Sequence, residues 1–452
     1  MTERSAFANE FSATIRLGLP IVTVQLANMA LGFLDTTMAG RISPADLGAI
    51  AAGRSLYTPI YILALGILLA INPIVAQLKG NEKPEQVGGI LKQGIWLAIL
   101  CSIPGVLLVR NTSGLLGILE VDPTLIPIVK GYLEALGWGL PATLIYLAVR
   151  FMNEGVLESR PGMYSAILAV PLNFVLNYLL MFGAMGFPKM GAVGAGWATC
   201  IVWWVLAIGF WTFTYTRKKY QQYALWGPFE WPRWEVMRTM LGIGLPNGMS
   251  LALEVSMFAL TALLIATLGI VELASHQVAL NFASITFMIP LGFSIATTSR
   301  VGFMAGKGDL DGVRTAGHVG IALCTAVMVV TALIMILFPG WIVRIYTSDP
   351  VVMSLASQLL VLAGIFQVSD GLQVSASSAL RGLKDTRIPM YVNLLSYWGV
   401  GLPLGYYLGI MRGWGVQGFW IGLIGGLTVA AFFHPFRFQR LTRAMARERA
   451  DN

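Results

Sequence analysis

The sequence predicts an all-α integral membrane protein of about twelve transmembrane helices, built as two similar halves. Of its 452 residues, 56% are hydrophobic and only 12% are charged, whereas soluble domains carry roughly 25% charged residues. Apolar stretches of about twenty residues, long enough to cross a hydrocarbon core of about 30 Å, recur from end to end. Short pieces of the first half also return, in the same order, in the second half.

Twelve spans are predicted between breaks that are charged or rich in Gly and Pro, and they leave no room for a soluble domain. The first apolar segment lacks the short apolar core and small-residue cleavage site of a signal peptide, so we expect it to remain as the first span. The spans lie near residues 12–36, 46–77, 89–109, 124–150, 162–183, 191–215, 237–267, 272–304, 313–337, 351–378, 388–410 and 414–436.

The loops indicate how the chain is oriented. Most of the 30 Lys and Arg residues fall at the N-terminus, in the even-numbered loops and at the C-terminus. Because basic residues mark the cytoplasmic side, we expect both termini in the cytoplasm. The net charge of +8 is spread over short loops rather than gathered on one face, which argues against nucleic acid as a partner.

A duplication explains the two halves. Residues 17–20 (Leu-Gly-Leu-Pro) return as residues 243–246 (Ile-Gly-Leu-Pro), and residues 155–164 resemble residues 382–391. Since each half has an even number of spans, the copies enter from the same side and should be related by a pseudo-two-fold axis along the membrane normal. We expect a substrate cavity between the halves. The predicted division is an N-terminal bundle (1–215), a cytoplasmic linker (216–235), a C-terminal bundle (236–437) and a cytoplasmic tail (438–452).

Three acidic residues lie among apolar residues inside predicted spans: Asp35, Glu254 and Asp370. A charge at the centre of a membrane helix costs about 2.5 to 3.5 kcal/mol on insertion scales. These acids should therefore face a wet cavity, bind a cation or take up a proton, and no Lys or Arg inside a span is an evident partner. The alternative is that each lies near enough to an interface to be solvated, which suits Asp35 best.

Polar residues accompany the acids at helical spacing, so that they share a face. Alignment of the halves, at an offset of 226 residues for the first pair and 227 for the second, places Glu254 opposite Asn28 and Asp370 opposite Thr143. At these depths both halves are therefore predicted to be polar but to differ in charge. For each amide the alternative is an inter-helix hydrogen bond with a packing role. The predicted cavity-lining residues are Gln25, Asn28, Asn173, Asn177, Gln277, Asn281, Gln367 and Gln373.

Motifs of known enzymes are absent from the sequence. It contains no phosphate-binding loop, no His-Glu-x-x-His, no Cys-x-x-Cys and no Gly-x-Ser-x-Gly, so we expect neither an enzyme nor a bound cofactor. The three cysteines fall inside predicted spans, so we expect them to be small apolar packing residues. An ion gradient, carried by Na⁺ or H⁺, remains as the energy source for uphill transport.

These residues carry a resemblance to a known family. The stretch 20–40, with Gln25 and Asp-Thr-Thr-Met-Ala-Gly at 35–40, together with Glu254 and Asp370, resembles the multidrug and toxic compound extrusion (MATE) family in its NorM-like bacterial branch. The resemblance implies two six-helix bundles in a V around a central cavity, in the bacterial inner membrane. It implies efflux of organic cations in exchange for Na⁺ or H⁺, with cation coupling by Asp35, Glu254 and Asp370.

The resemblance also extends to ligands and partners. It makes Asn173 and Asn177 part of the cavity wall, and it makes Glu254 and Asp370 candidate ligands of Na⁺. Expected partners are small organic cations and membrane lipids, with the chain as a monomer. The alternative function is a flippase for lipid-linked saccharides, whose cavity would need Arg or Lys to meet a pyrophosphate. Whether the coupling ion is Na⁺ or H⁺ stays open, because either can satisfy a carboxylate.

Overall fold

The computed structural model describes residues 3–112, 122–225 and 227–451, and every regular element in this part of the chain is helical. Helices dominate because a backbone in lipid must satisfy its polar groups internally. Those of the first half are α1 (Glu3–Gly40), α2 (Pro44–Leu68), α3 (Ile71–Gly80), α4 (Val87–Asn111), α5 (Ile126–Gly155), α6 (Arg160–Phe182) and α7 (Gly191–Thr216).

The second half continues with long helices and, between them, a few short ones. Its helices are α8 (Trp234–Ala266), α9 (Ile270–Gly306), α10 (Leu310–Leu337), α11 (Pro339–Arg344), α12 (Pro350–Gly382), α13 (Arg387–Leu394), α14 (Leu402–Tyr406) and α15 (Gly415–Asp451). Capping side chains explain where several of the helices begin. Before α12, for example, the Asp349 carboxylate accepts the backbone N–H of Val351 at 2.8 Å, and Pro350 occupies the first helical position.

Eleven segments of the described chain are long and apolar enough to cross a membrane. The second of them, Pro44–Gly80, joins α2 and α3 through a break at residues 69–70. The remaining predicted span, 388–410, is also helical, but it is divided by two π-helical turns, Leu395–Gly401 and Tyr407–Met411, on either side of α14. Such turns interrupt the regular hydrogen-bond ladder and often occur at functional sites. The predicted twelve-helix membrane fold is confirmed.

Glycines let the last two spans approach closely. Gly401, Gly405 and Gly409 lie against the glycines of α15, and a Cβ built at Gly422 would lie 2.3 Å from the backbone nitrogen of Gly405. A Cβ built at Gly418 would lie 2.5 Å from the backbone nitrogen of Gly409. Small residues four apart are the usual means by which membrane helices pack backbone to backbone.

We expect Gly422→Ala to destabilise the protein, because the added methyl group meets backbone atoms that cannot rotate away. Overpacking of this kind costs roughly 1 to 3 kcal/mol. Gly399→Ala is the matched control, since its nearest atom would lie 4.0 Å away. Thermal unfolding in detergent should show a lower midpoint for Gly422→Ala alone. Equal midpoints for the two variants would contradict this account of the packing.

Contacts divide the chain into two compact units. The N-terminal unit is Thr23–Gly248, and the C-terminal unit comprises Met1–Val22 and Met249–Asn452. The first therefore contains the predicted linker and the start of α8, and the second contains the start of α1. The predicted boundaries at 215 and 236 rest on the duplication, whereas this division rests on packing.

Each unit has its own core and repeats the same packing detail. In the N-terminal unit the core centres on α5, and a Cβ at Gly155 would lie 2.8 Å from the carbonyl oxygen of Asn72. In the C-terminal unit the core centres on α12, and a Cβ at Gly382 would lie 2.8 Å from the carbonyl oxygen of Thr298. The duplication read from the sequence is thus visible in the packing of each copy.

The predicted linker, apart from residue 226, which lies outside the described residues, is fastened along α4. The Lys92 ammonium donates to the carbonyl of Pro228 at 2.7 Å. The Trp96 indole N–H donates to the carbonyl of Glu230 at 2.9 Å, and its ring stacks on Trp231 with centroids 6.3 Å apart. The segment is therefore part of the N-terminal unit rather than a free connection.

Candidate functional site

A cavity of about 250 Å³ lies inside the N-terminal unit. Its wall combines polar, charged and aromatic side chains from five helices. They include Asn28 and Asp35 of α1, Arg54, Tyr57 and Tyr61 of α2, Tyr132 and Thr143 of α5, Asn173 of α6, and Thr199 and Trp203 of α7. A concave site of this composition is the usual form of a small-molecule pocket.

Asp35 is the anionic group of this cavity. Its side chain is buried, with 5% of the residue exposed, so the alternative of a solvated interfacial carboxylate does not fit. Its Oδ1 accepts a hydrogen bond from the Asn177 amide at 2.8 Å, and its Oδ2 accepts one from the Thr199 hydroxyl at 3.5 Å. The same Asn177 amide donates to the Asn173 Oδ1 at 3.1 Å. The carboxylate and both amides thus form one polar cluster.

Arg54 supplies a positive charge that the sequence analysis did not assign to the acid. Its guanidinium donates to the carbonyl of Gly32 at 3.1 Å and interacts electrostatically with Asp35. The expectation that no basic residue within a span accompanies the acids is therefore wrong for this cavity. With Asp35 ionised the two charges cancel, and with Asp35 neutralised the cavity keeps one positive charge.

The other two acids lie together in the C-terminal unit. Glu254 of α8 and Asp370 of α12 interact electrostatically, and Arg381 of α12 also interacts with Glu254. Asp370 is 6% exposed and Arg381 is 8% exposed. A buried guanidinium thus lies beside Glu254, one of the two carboxylates, which corrects the same expectation here. When both are ionised, this cluster carries a net negative charge.

Asp370 and Gln373, one turn apart on α12, each have a buried oxygen without a hydrogen-bond donor among the described residues. These atoms are the Oδ1 of Asp370 and the Oε1 of Gln373. The Gln373 amide donates to the hydroxyl of Tyr397 at 2.8 Å, and Tyr397, on the first π-helical turn, also interacts electrostatically with both acids. Buried oxygens are normally satisfied. Carboxylate and amide oxygens left in this state are suitable ligands for a hard cation.

The duplication relates the two clusters. Asn28 and Thr143, the residues aligned with Glu254 and Asp370, both line the cavity of the N-terminal unit. The same positions are thus polar in one unit and acidic in the other. Asp35 supplies the carboxylate of the N-terminal unit from a different position on α1.

The remaining predicted residues take other positions. Gln25 accepts a hydrogen bond from Arg150 at 3.1 Å. Gln367 accepts from the Thr331 hydroxyl at 2.7 Å and donates to a carbonyl of α9, which is an inter-helix packing role. Gln277 and Asn281 lie exposed on α9, and Asn281 accepts from the hydroxyl of Tyr346 at 3.0 Å.

The N-terminal unit also contains a buried ion pair that is not among the residues predicted from the sequence. Arg150 and Glu154, one turn apart on α5, join Nε to Oε1 at 2.7 Å with side chains 4% and 3% exposed. The available signal was their spacing of four residues, which places opposite charges on one helix face. The predicted fourth span ends at residue 150 and so leaves Glu154 outside it, whereas α5 continues to Gly155.

We expect Arg150→Met to destabilise the protein strongly, because it leaves the Glu154 carboxylate buried without its partner. Removing one member of a buried pair typically costs 3 to 5 kcal/mol. The double variant Arg150→Met/Glu154→Gln should recover part of that loss. Lys219→Met is the control, since it breaks a largely exposed pair with Glu158 that is worth about 0 to 1 kcal/mol. Unfolding midpoints that rank the single variant no lower than the control would contradict this expectation.

A comparison with known families decides the assignment. A family model described as MatE matches the chain twice, over residues 20–179 and 246–407. The chain belongs to the MatE family. The two matches cover one copy of the duplication each. The first includes Asp35, and the second includes Glu254 and Asp370.

Individual MatE relatives agree with this assignment. The chain is 38% identical over 439 residues to the multidrug resistance protein MdtK of Yersinia pseudotuberculosis serotype O:1b (strain IP 31758), with 96% of each chain covered. It resembles the eukaryotic MATE transporter AtDTX14 with a TM-score of 0.89 at 20% identity, covering 98% and 99% of the two chains. An outward-facing MATE family transporter matches with a TM-score of 0.88 at 18% identity, covering 96% of each. These structures establish the two-lobed MATE fold.

Proposed function

We propose that the protein exports organic, mostly cationic, drugs and toxic compounds across the inner membrane in exchange for Na⁺ or H⁺. The observation that carries the proposal is the buried Asp35 of the N-terminal unit together with the pair of Glu254 and buried Asp370 in the C-terminal unit, within a MatE chain. Support also comes from the name of the 38% identical relative, a multidrug resistance protein. We further propose that both termini are cytoplasmic, as the distribution of basic residues indicates, and that the protein acts as a monomer.

The carboxylates supply the coupling in this proposal. An organic cation and an inorganic cation are both attracted to the same negative charge, so binding of one weakens binding of the other. In the N-terminal unit, neutralising Asp35 leaves the charge of Arg54 uncompensated, which repels a cationic drug from the cavity. Entry of a coupling ion thereby favours drug release.

Alternating access requires that the ion and the drug prefer different conformations. A ligand that binds two states equally well shifts no population between them. The acids must therefore be arranged differently in the inward-open and outward-open states. The hydrogen bond between Asp35 and Asn177 and the charge interaction between Glu254 and Asp370 are the contacts that such a rearrangement would change.

The cavity of the N-terminal unit suits flat organic cations. Tyr57, Tyr61, Tyr132 and Trp203 line it together with Asp35. Aromatic faces attract cations and also stack on planar apolar rings. Because these contacts depend weakly on the detailed shape of a ligand, they favour a broad range of substrates.

The coupling ion is Na⁺ or H⁺ in this proposal. In the C-terminal unit, Asp370 Oδ1 and Gln373 Oε1 are the oxygens that would hold Na⁺, with Glu254 supplying further negative charge. A proton needs only a carboxylate. The flippase alternative is not favoured, because a pyrophosphate in the N-terminal cavity would meet Asp35 as well as Arg54.

Transport in proteoliposomes tests the proposal. Efflux of a fluorescent organic cation should follow an imposed Na⁺ gradient or an imposed pH gradient, and dissipating that gradient with an ionophore should stop it. The gradient that drives efflux identifies the ion. Absence of efflux under both gradients, from folded protein that binds the dye, would reject the proposal.

A further inference from the structure

An open groove runs between α6 and α7 in the N-terminal unit. Its volume is about 260 Å³, and it is lined mainly by Pro161, Tyr164, Leu168, Val205, Gly209 and Phe213. Tyr164 is 60% exposed, Leu168 57% and Val205 45%. Both helices are long and apolar enough to cross a membrane, so this apolar groove is suited to acyl chains rather than water.

Gly209 keeps the groove open. A Cβ built at this glycine would have no atom within 4 Å, so no close packing of helices explains the residue. A glycine in the interior of a helix is less favourable than alanine. What its missing side chain provides at this position is free space along the groove.

Basic residues stand at one end of the groove. Arg160 is the first residue of α6 and precedes Pro161, which lines the groove. Arg217 follows the last residue of α7, and its guanidinium carbon lies 4.8 Å from the centre of the Phe213 ring, which also lines the groove. Both arginines are exposed. The nearby carboxylate of Glu158 is paired with Lys219, so it does not cancel these charges.

We propose that the groove between α6 and α7 binds one phospholipid with an anionic headgroup, its acyl chain lying along Gly209 and its phosphate between Arg160 and Arg217. Seven residues separate Pro161 from Leu168, which is about 10 Å along a helix. The apolar part of the groove therefore extends into the hydrocarbon region while its basic end stays at headgroup level. Basic pockets between membrane helices are established sites for anionic lipid headgroups.

The charges identify this lipid class. Guanidinium groups form paired hydrogen bonds with phosphate oxygens. Two guanidinium groups beside one groove carry more positive charge than a zwitterionic headgroup can balance, because that headgroup has an ammonium of its own. An organic cation would be repelled by the same arginines. The site is therefore distinct from the drug cavity of the proposed function.

Native mass spectrometry tests this site directly. Protein released from mixed micelles should retain phosphatidylglycerol at least several-fold more often than phosphatidylcholine. Arg160→Gln/Arg217→Gln should abolish that preference while leaving some lipid bound. Gly209→Leu, which adds a side chain where a Cβ would meet no atom within 4 Å, should reduce retention of both lipids.

Two controls make the test specific. Lys307→Gln removes a basic residue that also stacks on an aromatic ring, with its ammonium 4.8 Å from the centre of Phe303. Gly242→Leu adds a side chain at another glycine with no neighbour within 4 Å. Both should bind lipid as the unsubstituted protein does. An unchanged preference in the double arginine variant, or an equal loss in a control, would overturn the proposal, as would displacement of the lipid by the fluorescent cation.

Discussion

Asp35→Asn should reduce gradient-driven efflux of an organic cation to the rate of protein-free liposomes. The substitution preserves the shape of the side chain, and the neutral amide can still contact Asn177 and Thr199. It removes the charge that balances Arg54, so the cavity is permanently in the positive state that disfavours a cationic drug. It also removes the group that a coupling ion would neutralise. Binding of the drug and coupling to the ion are therefore lost together.

Asp311→Asn is the control for this variant, since its carboxylate is 93% exposed. It should retain full efflux. Circular dichroism and size-exclusion chromatography would establish that Asp35→Asn is folded, because an inactive unfolded protein proves nothing. Efflux by folded Asp35→Asn at more than half the unsubstituted rate would show that coupling does not depend on this carboxylate.

Glu254→Gln and Asp370→Asn should each abolish coupling, and the double variant should be no more impaired than either one alone. The reason is that the two acids share one cluster with Arg381, so they act as a unit, and residues that act as a unit show strongly non-additive effects. Ion-dependent drug release, measured by equilibrium binding of the fluorescent cation with and without a saturating ion, is the readout. Each variant should retain drug binding and lose its dependence on the ion.

Glu272→Gln is the matched control, because Glu272 lies in the first turn of α9, outside the cluster. It should show the same ion dependence as the unsubstituted protein. If the losses in Glu254→Gln and Asp370→Asn instead add together, the acids act independently, and the proposal of a shared ion cluster is wrong.

Most of the fold follows from the sequence because lipid imposes a simple rule. A chain that crosses a hydrocarbon core needs long apolar helices, and the duplication repeats their order. Breaks within a span do not follow from that rule. The interruption at residues 69–70 and the π-helical turn at Leu395–Gly401 lie in stretches as apolar as their neighbours, so they depend on packing between helices.

The candidate site is less predictable, for a related reason. Helical spacing places Asn173 and Asn177 on one face, but it does not say which helix that face meets. The structure brings Asn177 to Asp35 across 142 residues of sequence, whereas Gln277 and Asn281, with the same spacing, lie exposed.

Basic residues within helices were the main omission. Arg150 and Arg381 lie near span ends, where hydropathy cannot distinguish a loop residue from a buried one. Arg54 lies inside a span, but the sequence does not show that its helix meets Asp35. The positions of these arginines change the charge of each cluster, because Arg54 balances Asp35 and Arg381 interacts with Glu254 in the C-terminal unit. The acids alone therefore gave an incomplete account of the electrostatics.

The most direct test of the central claim is to drive the exchange in reverse. Proteoliposomes loaded with ion-sensitive dye, with no initial Na⁺ or pH gradient, would receive a steep gradient of an organic cation. If drug and ion are exchanged, the drug gradient must move Na⁺ or H⁺ in the opposite direction, and Asp35→Asn must abolish that movement. Drug movement through the folded protein with no counter-movement of either ion would contradict the account.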